Sequence, residues 1–301
     1  MNKIERIMVV IDANEDLSAR ADGLPVELSK ALRLIKDKSS VEIRLVSIGY
    51  EKYLHHSFYA VGYDHKKLQK DYCDHLLTVM EKLVEGLTEQ GYVASCEIGW
   101  GHPRYEEIIN KAKEFDADLI VQHCRAYAKV EHYHLTHDSW ELVRRCPIPL
   151  LLVKSQEWGD DITVMAAVDP MHSHNKPESL DNRVIDAASI VASQLGGELH
   201  VVHAYAETAR PFAVAGTIKS EHSKAFDDLL KDYSIDKDHQ HLIDETPLYA
   251  LKDYSEESNS DIVVMGAISR SRLSEALIGS TTDAALDYIK KDLLIIKPAS
   301  M

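Results

Sequence analysis

The sequence predicts an α/β chain of two tandem domains, each an open five-stranded parallel sheet with helices on both faces. Three observations carry that prediction. Short apolar runs alternate with longer amphipathic ones, several of the short runs are apolar without a break, and the element order of the first half recurs in the second. Strands separated by helical segments imply right-handed βαβ crossovers and a parallel sheet. A strand as uniformly apolar as Leu150-Leu151-Leu152-Val153 needs cover on both faces.

In the first half, Ile7–Ile11 reads as a strand and Val26–Lys36 as a helix, with Leu28, Leu32 and Ile35 on one face. Val41–Ile48 alternates like a strand. Leu68–Leu87 is a long helix, its apolar positions including Leu76, Met80, Leu83 and Leu87. Strand Val93–Ile98, helix Tyr105–Phe115, strand Leu119–Gln122, a helix near Asp138–Arg145 and strand Pro149–Val153 complete this half. The second half repeats the order: strand Ile162–Val168, helix Val184–Leu195, strand Glu198–His203, helix Ser220–Lys231, a weak strand Gln240–Ile243 and helix Leu248–Glu257. Strand Ile262–Met265, helix Asp283–Ile289 and strand Leu293–Ile296 close it.

The repetition extends to residues. Asp118-Leu119-Ile120-Val121 matches Asp261-Ile262-Val263-Val264, and Leu151-Leu152-Val153-Lys154 matches Leu294-Ile295-Ile296-Lys297, both at an offset of 143 residues. One offset held over such a span is evidence of duplication that similar helix order alone is not. The join falls near Ser155–Asp161, a short polar stretch, giving domains 1–156 and 157–301.

Composition narrows the function. The 301 residues suffice for two domains that each bury a core. A formal net charge of −15 argues against binding DNA or RNA, which needs a basic surface, and against docking on anionic membranes. The apolar segment Ile7–Ile11, ended by Asp12, is too short for a signal-peptide core, and no stretch approaches the roughly 18 apolar residues of a membrane span. Cys73, Cys96, Cys124 and Cys146 are scattered and form no CxxC pair, so they read as free thiols in a reducing compartment. A cytoplasmic location is the expectation.

After strand Ile262–Met265 the chain reads Gly266-Ala267-Ile268-Ser269, nine further residues, then Gly279-Ser280-Thr281-Thr282. A glycine leaving a parallel strand lets backbone approach a ligand with no Cβ in the way. Gly279 precedes a helical segment, whose unpaired N–H groups and positive dipole end favour an anion, and Ser280 and Thr281 add hydroxyl donors there. Sites in open α/β sheets lie at the carboxyl ends of strands. The same residues also fit a plain strand-end turn at Gly266 and an ordinary helix cap at Gly279-Ser280.

Here the sequence resembles the universal stress protein family (UspA domain), whose ATP-binding members carry G-x2-G-x9-G-[ST] at this place. The resemblance covers essentially the whole chain as two Rossmann-like, HUP-type domains. Thr136-His137-Asp138-Ser139-Trp140, with Cys146-Pro147-Ile148-Pro149-Leu150-Leu151-Leu152-Val153-Lys154, is similar to the tandem, E-type members. Ser269 departs from the pattern by standing where the second glycine falls, and serine does not freely take φ > 0.

The resemblance implies a stress-response protein that binds ATP, with or without Mg, in the C-terminal domain through Asp169, Ala204, Gly266, Ser269, Gly279, Ser280 and Thr281. Asp12 and Asp169 end the first strand of each half, where the family's acid contacts the adenosine or a divalent metal, although aspartate is also a common turn former. Ala204-Tyr205 would lie beside the adenine. Family members pair domains through the last strand, so Pro149–Val153 and Leu293–Ile296 would form an internal pseudo-dimer interface, with further homo-oligomerisation open. At the offset of 143, Gly266, Ser269, Gly279 and Ser280 fall on His123, Ala126, Thr136 and His137, so every glycine is gone from the first copy.

Other constellations carry less. His132-x-His134-x-x-His137, with His123 nearby, matches no standard zinc spacing, and no metal ligand is assigned. No G-x-S-x-G elbow, H-E-x-x-H pair or full Walker loop is present, so the expectation is a non-enzymatic protein, with a weak ATPase as one alternative. Another is a scaffold with a vestigial nucleotide site. The aromatic stretch Tyr50–Tyr63 and Pro211–Gly216 could pack between domains or hold an apolar ligand.

Overall fold

The structure, a computed structural model, describes residues 3–12, 23–50, 65–124, 136–171, 177, 179–207, 216–267 and 288–298. The chain divides into two compact units, Ile4–His123 and Cys124–Met301, the latter with Met1–Lys3.

The first unit runs β1 (Arg6–Val10), α1 (Val26–Arg33), β2 (Glu42–Gly49), α2 (His65–Glu89), β3 (Val93–Trp100), α3 (Arg104–Glu114) and β4 (Leu119–His123). Its strands lie in the order β3-β2-β1-β4, all parallel. Met8 and Val9 point to opposite faces of β1 and both are fully buried, which explains the unbroken apolar run. Asp118 enters β4, and its carboxylate accepts the backbone N–H groups of Glu5 and Arg6 at 2.9 Å, tying the start of β4 to the start of β1. Helix α1 stops at Arg33, short of the Lys36 read from periodicity, and Leu34 caps it.

The second unit contains α4 (His137–Arg145), β5 (Leu150–Val153), β6 (Thr163–Val168), α5 (Ser179–Leu195), β7 (Glu198–Tyr205) and α6 (Thr217–Leu230). A 3-10 turn (Lys237–His239), β8 (Gln240–Asp244), α7 (Pro247–Glu257), β9 (Ile262–Gly266) and β10 (Asp292–Ile296) follow. The order is β5-β10-β9-β6-β7-β8; β5 runs antiparallel to β10 and the other pairs are parallel. Asp261 repeats the role of Asp118: its carboxylate accepts the Thr163 N–H at 3.0 Å, at the start of β6. Helix α5 begins five residues before the Val184 read from sequence, because Leu180 and Asp181 in its first turn are fully buried. The helix read over Asp283–Ile289 lies mostly outside the described residues.

The division between units falls at His123/Cys124, ahead of the sequence repeat's join. Strand pairing accounts for it: β5 registers on β10 through Leu150↔Ile295 and Leu152↔Leu293, and Cys124 N–H donates to the Val153 carbonyl at 2.7 Å. The polar join is itself anchored. Trp158 is buried and its indole N–H donates to Asp292 at 2.9 Å, while the other Asp292 oxygen accepts Lys154 N–H at 2.7 Å.

The repeated lysines work reciprocally. Lys154, fully buried, donates its ammonium to the carbonyl of Ile289, just before β10. Lys297 donates to the carbonyl of Arg144 at 3.3 Å, at the end of α4, where the helix dipole favours a cation. Each lysine therefore satisfies a carbonyl that precedes the other repeat's last strand. Burial pulls Lys297 down to about 8, against a smaller upward pull from Cys146.

Candidate functional site

Strand β6 lies between β9 and β7. The chain leaves β6 for β7 on one side, and β9 is added on the other, so the carboxyl edge between β6 and β9 is a topological switch point. Register fixes the level: Val168 pairs with His203, and Ala167 with Met265. Asp169, Ala204 and Gly266 each stand one residue beyond such a partner and gather on that edge. Ser269, Gly279, Ser280 and Thr281 lie outside the described residues.

Asp169 is half-buried and held through its backbone, its N–H donating to the Asp181 carboxylate at 3.0 Å. Ala204 is half-buried and pairs with Ile243 of β8. Gly266 closes β9, and packing gives it a further reason to be glycine. It does not sit at positive φ. A Cβ there would meet Leu180 Cδ2 at 2.8 Å and Cγ at 2.9 Å, so the missing side chain makes room for α5.

Two histidines beside this edge were not singled out from the sequence. His203, almost fully buried, has Nδ1 at 3.2 Å from the Val168 carbonyl and Nε2 at 2.8 Å from His222 Nδ1. The rings of His203 and His222 stack at 5.0 Å between centroids, and Tyr205 leans on His222 at 5.8 Å. Burial, and then the His222 charge, push His203 down to about 4, outweighing the Val168 carbonyl, Asp169 and Asp181. The ring is neutral at neutral pH and serves as a hydrogen-bonding spacer between β7 and α6. Its signal was only a histidine following the apolar pair Val201-Val202, which periodicity does not separate from core.

At the matching positions of the first repeat, His123 is the last residue of β4, and Thr136 caps α4, its hydroxyl oxygen accepting from Ser139 N–H at 3.3 Å. Asp12 is half-buried just past β1. Ala126, His132 and His134 lie outside the described residues, as do most of Tyr50–Tyr63 and Pro211–Gly216. Among the described residues no helix is long and apolar enough to cross a membrane.

Two repeats of a mostly parallel α/β sheet, the second with its strand ends gathered at a switch point, define a tandem chain of Rossmann-like architecture. The universal stress protein family matches it twice, over residues 3–154 and 163–297, and the chain belongs to that family. It is a tandem universal stress protein similar to universal stress protein E. The Photorhabdus laumondii protein of that name is 27% identical over 222 residues, covering 70% of this chain and 71% of its own. A universal stress protein E homolog of Haemophilus influenzae is 22% identical over 312 residues, covering 99% of this chain and 98% of its own. A solved universal stress protein from Archaeoglobus fulgidus shares the fold with a TM-score of 0.67 at 17% identity, covering 97% of this chain and 98% of that one.

Proposed function

We propose that this universal stress protein acts in the cytoplasm without catalytic chemistry, binding an adenine nucleotide at the carboxyl edge of β6, β7 and β9. The ligand is ATP, with or without Mg. The observation that carries the reading is the convergence of Asp169, Ala204 and Gly266 on the switch point of the second repeat, next to the segment bearing Ser269, Gly279, Ser280 and Thr281. In this reading Asp169 meets the ribose or a Mg ion, and Ala204 leaves room beside a base. Gly279, Ser280 and Thr281 supply N–H and O–H donors to phosphates. The first repeat carries His123 and Thr136 where those glycines stand and does not bind ATP. The pairing of β5 with β10 supports a chain that is its own pseudo-dimer, open to further homo-oligomerisation.

One observation favours a second reading. Leu180 occupies the space Gly266 leaves, which gives that glycine a packing purpose and fits a scaffold with a vestigial nucleotide site. Native mass spectrometry of freshly purified protein separates the two. ATP at about one per chain supports the first; no co-purifying nucleotide together with no calorimetric binding sinks it. Gly279→Val is expected to abolish binding while Thr136→Ser leaves it unchanged, and equal binding by both variants would place the site elsewhere. Phosphate release above background that disappears in Asp169→Asn would instead mark a weak ATPase.

A further inference from the structure

Glu198 opens β7 and lies six residues, about 20 Å, from Ala204 along the strand. Glu198 and His200 share one face of β7, and the register Val202↔His241 places His241 of β8 on that face as well. The 3-10 turn leading into β8 delivers His239 beside them. We propose that Glu198, His200 and His239 bind a divalent metal ion of the zinc class.

The geometry is close to a ligand set. One ligand atom from each residue falls within 4.8 Å of the other two. Glu198 Oε2 is 3.7 Å from His200 Nε2 and 3.8 Å from His239 Nε2. Zinc bonds of about 2.0–2.1 Å in a tetrahedron set ligand atoms roughly 3.3 Å apart, so shifts of about half an ångström bring the Glu198 carboxylate into ligand spacing with both imidazole nitrogens. The rings of His200 and His239 stack at 4.2 Å, facing the same carboxylate.

A second layer of side chains orients the first. His200 Nδ1 is 3.0 Å from His241 Nε2 and 3.4 Å from the Tyr254 hydroxyl on α7. Assigning the Nδ1 proton to His200 makes His241 the acceptor and leaves the His200 Nε2 lone pair facing Glu198, the arrangement that fixes a metal-binding tautomer. Burial lowers His200, as does His239 beside it, against Glu198; burial also takes His241 to about 4, helped by His200 and His239. Neutral imidazoles are the form a metal needs. One dication satisfies the Glu198 carboxylate and two nitrogen lone pairs together.

Two nitrogens and one carboxylate oxygen suit zinc and its neighbours over magnesium or calcium. Glu198 is exposed, so water completes the coordination. The ion would fasten the turn before β8, the edge strand of this sheet, to β7.

The test is calorimetric titration of the full chain, stripped with chelator and free of nucleotide, with Zn2+ alone, and with Co2+ followed by absorbance. One ion per chain is expected, with a cobalt spectrum free of thiolate charge transfer. Glu198→Gln, an exposed and shape-conserving change, and His239→Ala should each weaken binding about tenfold or more, and His241→Ala by about 10–100-fold. His75→Ala, exposed on α2, should not matter. Unchanged affinity and stoichiometry in a folded Glu198→Gln/His239→Ala variant would overturn the assignment, as would a thiolate band or no zinc binding by the wild type. Gly279→Val is expected to retain metal binding, so failure of the nucleotide site and failure of this one are distinguishable.

Discussion

Replacing Gly266 with alanine tests whether the first glycine of the loop serves packing or a ligand. The new Cβ would lie 2.8 Å from Leu180 Cδ2, 2.9 Å from Cγ and 3.4 Å from Cδ1, where carbon atoms prefer about 3.5–4.0 Å. Leu180 is fully buried and cannot swing into solvent. Overpacking of this kind costs about 1–3 kcal/mol. Leu180→Ala alone leaves a cavity and costs about 2–5 kcal/mol. In the double variant the clashing Cγ and Cδ atoms are gone, so the two costs do not add, and the pair should couple favourably by about 1–3 kcal/mol. Urea unfolding followed by tryptophan fluorescence, with Trp140 and Trp158 reporting from this unit, measures all four corners of the cycle. Strict additivity, or Gly266→Ala within about 0.5 kcal/mol of wild type, would refute the packing account. ATP calorimetry on the double variant then isolates the ligand's share: stability regained with binding still lost means the glycine also admits a phosphate.

Acidification should destabilise the second unit, because His203 titrates near 6.5 unfolded and about 4 folded. The unfolded chain takes up the proton first, so stability held above pH 6.5 is lost as pH falls towards 4, by at most about 3 kcal/mol from His203. A pH series of melts on His203→Leu should show a shallower slope, the remainder coming from His241, which is also depressed to about 4. Lys297 is depressed from 10.5 to about 8, so its buried ammonium costs stability below pH 8; Lys297→Met should raise the melting temperature at pH 7 and remove the gain wild type shows between pH 8 and 10.5. Asp292→Ala strips acceptors from the Lys154 N–H and the Trp158 indole and should cost about 1–3 kcal/mol per orphaned donor, read as a lower melting temperature with altered Trp158 emission.

How far the sequence was legible depends on whether a feature lies along the chain or across it. The offset that pairs Asp118 with Asp261 and Lys154 with Lys297 was visible as text, and the structure supplies the physics: each aspartate fastens a strand start, and each lysine reaches a carbonyl near the other repeat's last strand. The cut between compact units was not visible, because covalent order places β5 in the first repeat although it pairs with β10, the last strand of the second. The start of α5 was hidden because its polar first turn carries Asp181, buried where polarity suggests exposure. The Glu198–His200–His239 cluster left no spacing motif: strand register, not sequence spacing, assembles it, whereas His132-x-His134-x-x-His137 is conspicuous as text alone.

The difference between the repeats at the loop's end has a consequence in hydrogen bonding. A helix start leaves N–H groups without intrahelical acceptors. In the first repeat Thr136 answers one of them from its own side chain. The matching residue of the second repeat, Gly279, has no side chain with which to accept. If a helix begins at Gly279, as the sequence reads, acceptors for its N–H groups would come from water, from another residue or from a ligand, and a phosphate offers several oxygens at once. Thr136 thus offers, from its own side chain, an acceptor that Gly279 lacks. Asymmetry between the two copies is what a tandem chain with one nucleotide-binding repeat requires. Gly279→Ser, which adds a hydroxyl of the kind Thr136 provides, should stabilise the second unit while weakening its nucleotide binding, by melting temperature and calorimetry; a variant that gains in both would show that the glycine's empty place is not what the ligand uses.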